Sequence, residues 1–418
     1  MSKGKLELDP VKVVVGDLAL FGGQPAFQDA LHVGRPNIGN RQRFEERVGD
    51  ILDRKWLTNN GKYVKEFEQR VAELTGVEHC VVMCNGTVAL EIAIRSLGMT
   101  GEVIVPSFTF IATAHALQWQ EITPVFCDVN PRTHTLDPEK VEQMITPRTT
   151  GIIGVHLWGG VCDIDALSQI ARRHGLKLLF DSAHAFGCSY NNRMIGGFGD
   201  AEVFSFHATK FVNSLEGGAV VTNDAELARK MRLMKNFGFT NYDRADYIGI
   251  NGKMNEVSAA MGLTNLESMD DFIAVNHRHY KQYMAELAGI EGITLLAYDE
   301  EERCNYQYVV CEIDQSRTIV TRDQLMEILH KENVLARRYF YPGCHRMEPY
   351  RSYFPHAGLL LTETEKLTNR VLCLPTGISV NENQIGAICQ IVRFAVENGV
   401  EVNDMMNEVK ESAIPLSR

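Results

Sequence analysis

The stretch KLLFDSAHAFG at residues 177–187 decides the fold class, together with VFSFHATK at residues 203–210. Each is an apolar run without polar alternation that breaks off at polar residues, the first at Asp181 and the second at Lys210. A strand with one wet face alternates, so an unbroken apolar run needs cover on both faces, as in a parallel sheet sandwiched by helices. Outward from this pair the same texture recurs at Cys80 to Cys84, Val103 to Pro106, Val125 to Asp128, Ile152 to Val155 and Ala219 to Thr222. Amphipathic stretches lie between the runs. Val88 to Leu97 has Thr87 as an N-cap candidate and Gly98 past its end, and Ile164 to His174 is closed by Gly175. The alternation predicts an α/β fold around a mostly parallel seven-stranded sheet.

After about residue 290 shorter strands, as in Tyr306 to Glu312, and helices at Arg322 to Glu332 and Glu382 to Asn398 predict a smaller α+β domain. The first 45 residues hold Pro10, Pro25 and Pro36 and little periodicity, which reads as an arm packed on the body or on a partner subunit. The expected organisation is an arm over 1–45, a large domain over 46–290 and a small C-terminal domain over 291–418.

With 418 residues, 45% of them hydrophobic, the chain can bury more than one domain's core. Its 42 Lys and Arg against 53 Asp and Glu give a formal charge of -11, which argues against a nucleic-acid partner. Ten scattered cysteines, mostly within apolar runs, read as reduced buried thiols. No run approaches the roughly 18 consecutive apolar residues of a membrane span. The start MSKGKLELDP lacks an apolar leader core, so a soluble, cytoplasmic protein without membrane partners is expected.

Ligands of open α/β sheets bind beyond the carboxyl ends of the strands. Four places there carry chemistry. Asn85-Gly86-Thr87-Val88 turns a strand into a helix, whose free amides favour a phosphate, although such turns are also ordinary architecture. Asp181 ends its strand as a carboxylate, which serves equally as a cap. Lys210 ends an apolar strand, where a lysine is costly unless paired, reactive or snorkelling to water. Pro106-Ser107-Phe108-Thr109-Phe110 offers aromatics that suit a core or a cofactor platform. Pyridoxal phosphate requires this set: a phosphate cradle, a carboxylate for the ring nitrogen, a flat aromatic and an amine nucleophile.

The motifs NGTVAL (85–90), PSFTF (106–110), DSAHAFG (181–187), FSFHATK (204–210) and EGG (216–218), in that order, resemble the DegT/DnrJ/EryC1/StrS aminotransferase family. The likeness runs from WLTNNGKYVKEFE (56–68) through YPGCH (341–345) to LCLPTG (372–377). It implies PLP fold type I, the aspartate aminotransferase-like architecture, with pyridoxal 5'-phosphate as cofactor and no metal. The version FSFHATKFVNSLEGGAVV is similar, more narrowly, to enzymes that aminate C4 of dTDP-4-keto-6-deoxyglucose.

By that resemblance Lys210 matches the Schiff-base lysine, Asp181 the partner of the pyridine nitrogen and His184 the residue beside the pyridine hydroxyl. Phe110 matches the stacked aromatic, Gly86 and Thr87 the amides on the phosphate, and Ser205 a hydroxyl on it. Asn251 matches an asparagine sent to that phosphate by the neighbouring subunit, which implies a homodimer with shared sites. Gly252 and Lys253 stand where the family usually has Tyr and Arg, and TNNGKYV lacks the proline of the common version, so Thr58 receives no role. The implied activity is a ping-pong transamination from glutamate to a nucleotide ketosugar.

The alternatives are a C3 aminotransferase of a 3-keto-6-deoxy sugar, a C4 enzyme acting on a UDP- or GDP-sugar, and a non-enzymatic regulator on the same scaffold. A family dehydratase would replace Lys210 with histidine. A zinc hydrolase built on His156, Cys162 and His184 lacks paired ligand spacing.

Overall fold

The computed structural model describes residues 12–412. The first eleven residues, which include the stretch read for a leader, lie outside the described residues. One sheet contains all seven expected strands: β1 (His79–Met83), β2 (Glu102–Pro106), β3 (Thr123–Cys127), β4 (Thr149–Val155), β5 (Lys177–Asp181), β6 (Ala201–Ser205) and β7 (Gly218–Thr222). Their spatial order is β1-β7-β6-β5-β4-β2-β3. β7 runs antiparallel to β1 and β6, and every other pairing is parallel.

The missing alternation has a direct cause. Cys80, Val82, Ile152, Phe180, Phe204 and Val221 enter one buried cluster, while Val81, Met83, Ile153, Leu179, Val203 and Val220 enter another. The pleat sends neighbours to opposite faces, and both faces are cores. Helix α1 (Gly86–Leu97) belongs to the second cluster through Ala89, Leu90 and Ile92. The same parity turns Asp181, two residues after Leu179, and Ser205, two after Val203, toward the face that α1 covers.

The N-cap of α1 is Asn85 rather than Thr87. Asn85 has the extended backbone of a cap, and its side chain accepts from Val88 N at 2.8 Å. Gly98 ends the helix at φ 74°, a conformation that costs glycine little. Gly218 opens β7 directly beneath the turn into α1: a Cβ there would lie 2.5 Å from the Asn85 carbonyl oxygen and 2.7 Å from Gly86 Cα. The glycine therefore sets how closely sheet and turn approach.

A further core forms around an antiparallel sheet of β8 (Ile293–Leu295), β9 (Val309–Ile313) and β10 (Val371–Leu374), with the helices Arg322–Lys331 and Glu382–Glu397 packed on it. β9 begins later than the expected Tyr306, because Tyr306 sits at φ 48° and cannot join a ladder. Val15, Leu18, Phe27 and Leu31 complete this core, so part of the stretch read as an arm is built into the body. Leu31–His32 pairs in parallel with Val334–Leu335. The buried Glu332 accepts from Ala19 N at 2.8 Å and Ala26 N at 2.7 Å and pairs with Lys12 at 3.1 Å. The same stretch already turns helical at Arg41, where Arg41–Arg54 begins.

All ten cysteines are free thiols, and all but Cys84 are fully buried. Among the described residues no helix is long and apolar enough to cross a membrane.

Gly218→Ala is expected to destabilise the protein by about 1–3 kcal/mol in denaturant unfolding, the cost of an overpacked contact that meets backbone rather than a yielding side chain. Gly49→Ala provides the contrast. Gly49 lies inside the helix Arg41–Arg54 with nothing within 4 Å of a built Cβ, so there the change should stabilise by about 0.5–1 kcal/mol.

Candidate active site

Beyond the carboxyl ends of β4, β5 and β6 lies a cavity of about 310 Å³ lined by Val155, Asp181 and Ser205 from those strands. Gly86, Thr87, Phe110, His184 and Lys210 line it as well, so every residue matched to the cofactor in the sequence except Asn251 meets here.

One wall is a helix terminus. The first amides of a helix have no intrahelical partner, and Asn85 takes only that of Val88, which leaves Gly86 and Thr87 to face a ligand. Ser205, ending β6, lies against them: a Cβ built on Gly86 would be 3.1 Å from Ser205 Cβ and 3.3 Å from its Oγ. A larger residue would fill this space, which has the chemistry of an anion cradle.

Asp181 is buried at the end of β5. Its Oδ2 accepts from Thr113 Oγ1 at 2.8 Å and its Oδ1 from Ala183 N at 3.2 Å. Burial pushes its pKa above the ordinary carboxylate value, while those two donors and the charge of Lys210 pull it back. It caps a turn rather than a helix. Lys210 follows β6 in a turn closed by its own N–H on His207 O at 2.8 Å. The residue is half-buried in the cavity wall, and desolvation lowers its pKa to about 8 against the opposing pull of Asp181. The lysine is not snorkelling to bulk water.

His184 is held neutral, its pKa well below the ordinary value, by burial and then by the Lys210 charge. Its Nδ1 accepts from Trp158 N at 3.2 Å, which leaves the proton on Nε2, 3.2 Å from the Tyr308 hydroxyl. The ring stacks on Phe340 with centroids 5.8 Å apart at 12°. The PSFTF segment divides. Phe108 is core, packed edge-on against Trp158 and Phe340, whereas Phe110 stays 58% exposed at the cavity.

Thr113, Tyr308, Tyr339 and Phe340 escaped the sequence reading, although the last three line the cavity. A hydroxyl inside the apolar helix Ala112–Gln118 was the available signal for Thr113. The three aromatics come from around the further core and have no local signature. His156 and Cys162 do not join the site. His156 stacks on Phe180 at 4.7 Å, and among the described residues no group of three His, Cys, Asp or Glu could hold a metal.

Asn251 is exposed and lies outside this cavity, its backbone bridged to Asn236. Gly252 is buried against α1, where a Cβ would meet Val88 Cγ1 at 2.9 Å and Ile92 Cδ1 at 3.3 Å, so no tyrosine fits there without a shift.

The model of the DegT/DnrJ/EryC1/StrS aminotransferase family matches residues 39–393. A dTDP-4-amino-4,6-dideoxy-D-glucose transaminase of Shigella dysenteriae is 35% identical over 363 residues, covering 87% of this chain and 98% of its own length. A GDP-perosamine synthase of Caulobacter vibrioides is 35% identical over 325 residues, covering 77% of this chain and 86% of its own. Among solved structures, DesI in the presence of its TDP-sugar product is similar with a TM-score of 0.91 and 48% identity, over 94% of this chain and all of DesI.

In cofactor-free protein, acylation of Lys210 followed by peptide mass spectrometry should rise with pH through a midpoint near 8. Asp181→Asn removes the charge that favours the ammonium, so its midpoint should lie lower still. A wild-type midpoint at about 10.4, the value of a solvated lysine, would show that the amine is not desolvated.

Proposed function

This chain belongs to the DegT/DnrJ/EryC1/StrS aminotransferase family, and from that premise we propose that it moves an amino group from glutamate to C4 of dTDP-4-keto-6-deoxy-D-glucose. It is a pyridoxal-phosphate-dependent sugar aminotransferase of deoxysugar biosynthesis. The observation that carries the nucleotide assignment is the 48% identity to DesI, a protein crystallised with a TDP-sugar product. The ring position rests on the name of the Shigella relative, a 4-amino sugar transaminase, and on the FSFHATKFVNSLEGG segment. The likeness to a GDP-perosamine synthase makes a GDP-linked C4 ketone the second reading.

The residues fit the cofactor. Gly86, Thr87 and Ser205 stand together as an anion cradle at the cavity wall, and Asp181 is a buried carboxylate with two donors and, among the described residues, no salt-bridged cation of its own. In this reading the cradle would hold the phosphate, Asp181 the ring nitrogen, Phe110 a ring face and His184 the substituted edge. Bound pyridoxal phosphate supplies a carbonyl for amine exchange and a protonated ring that accepts the electron pair of a breaking Cα–H bond.

Lys210 Nζ would be the proton carrier within each half-reaction, taking the proton from the Cα of the amino acid and handing it on to the bound cofactor in the first, and making the reverse transfer, to the ring carbon of the sugar, in the second. With a pKa of about 8, roughly a tenth of Lys210 is neutral at pH 7, against well under a thousandth for a solvated lysine. Thr113 and Ala183 donate to Asp181 and pull its pKa back against burial, which favours the ionised form that would keep the proton on the ring nitrogen. Phe110 and Phe340 line one apolar side of the cavity.

The protein acts as a homodimer in this reading, because Asn251 cannot serve the cavity of its own chain and the family sends this residue across. A non-enzymatic regulator would have no use for Lys210, Asp181 and Ser205 in one pocket.

Assay of dTDP-4-keto-6-deoxyglucose beside its 3-keto isomer and its UDP and GDP analogues, following 2-oxoglutarate formed from glutamate, should show the highest kcat/KM for the first. A sugar carbon displaced by about an ångström loses roughly 10²-fold in rate, so a clear preference for another substrate refutes the assignment. Mixing Lys210→Ala and Asn251→Ala subunits one to one should give about a quarter of wild-type activity. Half the dimers are then mixed, and each has one site with both residues intact. Activity no greater than that of the Asn251→Ala protein alone would refute the shared site.

A further inference from the structure

Just past β4 the chain bends, with Trp158 at φ 58° and Gly159 at φ 95°. A residue as bulky as tryptophan rarely adopts that angle. Trp158 is kept there by its surroundings, its ring fully buried and packed edge-on against Phe108 at 5.5 Å and His134 at 5.7 Å. The bend presents the Trp158 N–H to His184 Nδ1 at 3.2 Å. An amide nitrogen can only donate, so this contact sets the direction of the ones that follow. Nδ1 is the acceptor, the proton of the neutral ring is on Nε2, and Nε2 donates to the Tyr308 hydroxyl 3.2 Å away. Toward His184 the hydroxyl is thus an acceptor, and its own hydrogen meets no acceptor among the described residues. Tyr308, just before β9, lines the active-site cavity. Burial first, with Tyr339 and Cys373 adding to it, pushes its pKa well above the ordinary value, so the phenol keeps its proton. Tyr298 Oη lies 3.0 Å from Trp158 O and 2.9 Å from Tyr308 O, and ties the two ends of the chain to each other.

We propose that Tyr308 is the hydrogen-bond donor to the pyridine oxygen of pyridoxal phosphate, and that His184 acts on this oxygen through Tyr308 rather than by a proton of its own. The assignment rests on the reading above that puts the cofactor's substituted edge at His184, and adds the atom that reaches the oxygen. The one ring proton of His184 is committed to Tyr308, whereas the phenol has a hydrogen to give. A bond from it to an anionic oxygen is charge-assisted. It stabilises the oxygen after loss of the proton shared with Lys210 Nζ, and so lowers the pH at which that proton leaves. The titratable groups facing the Tyr308 hydroxyl are His184, Tyr339 and Cys373. Those lining the rest of the cavity are Asp181, Lys210 and the His207–Glu216 pair, which meets at 3.5 Å. Tyr308→Phe leaves all of them in place.

The test is a pH titration of the holoenzyme's visible cofactor absorbance for wild type, Tyr308→Phe and Tyr298→Phe, with thermal unfolding as the folding check. Tyr308→Phe should raise the midpoint by about one to two pH units, the loss of one hydrogen bond to a charged group. Tyr298→Phe loosens the same wall but keeps the Tyr308 phenol, so its midpoint should stay at the wild-type value. Nitrogen NMR of histidine-labelled, cofactor-free protein should show His184 protonated on Nε2 alone, in wild type and in Tyr308→Phe, because Trp158 sets the tautomer. An unchanged midpoint in a folded Tyr308→Phe protein overturns the proposal. So does an equal rise in Tyr298→Phe, which would trace the effect to the wall, and so does a wild-type His184 proton on Nδ1. A Tyr308→Phe protein with the wild-type midpoint and a raised KM for glutamate would put the phenol on the amino acid and overturns it too. Failure of the underlying reading is seen separately: borohydride reduction of the holoenzyme would then fix the cofactor on a peptide without Lys210.

Discussion

A carboxylate and an amine share one desolvated cavity without pairing. Asp181 and Lys210 each shift the other's proton affinity, yet they form no salt bridge. If they met they would neutralise each other, and nothing polar would remain for a ring placed between them. The separation is enforced by the sheet. Asp181 ends β5, hydrogen-bonded in register to β6 through Asp181 and Val203, while Lys210 lies beyond the end of β6. Thr113 and Ala183 then hold the carboxylate from its own side, so its aim does not depend on the lysine.

The far wall of the cavity depends on how the later chain is fastened to the sheet. Ser107, just past β2, meets His345 Nδ1 at 2.7 Å, and His345 Nε2 meets Glu365 at 2.7 Å. Asp128, just past β3, accepts from Glu363 N at 3.0 Å and from Thr364 N and Oγ1 at 2.8 Å. These buried polar contacts grip the 343–365 stretch from two adjacent strand ends. Through Cys344 N on Ser107 O, at 2.9 Å, they seat the segment that delivers Phe340 over His184. Polar networks of this kind gain strength from their low-dielectric surroundings provided every member is satisfied.

The sheet was legible in the sequence because its two faces are both dry, so each strand stands out as an unbroken run, and two of the helices between them end at Gly98 and Gly175. The near wall was legible for a related reason: Gly86, Asp181, Ser205 and Lys210 all sit where an apolar run stops. Tyr308 and Phe340 gave no such sign. Each reads as an ordinary apolar residue of a distant segment, and only long-range packing brings it to the cavity. The cap at Asn85 was misread because asparagine and threonine both favour that position and only the backbone angle separates them. Tyrosine suits a strand, but at Tyr306 a single left-handed angle overrides that preference.

The seam between Leu31–His32 and Val334–Leu335, with Glu332 reaching back to Ala19 and Ala26, has a consequence for how the molecule is made. A ribosome releases Val15, Leu18 and Phe27 long before the strand and helix they complete. The seven-stranded sheet can close from contiguous chain while these early residues still lack partners. Their pairing closes a loop spanning most of the polypeptide, and contacts of such sequence separation form slowly. Until it forms, the core around β8–β10 lacks the side that Val15, Leu18, Phe27 and Leu31 supply, and transiently exposed apolar surface of this kind is prone to aggregate.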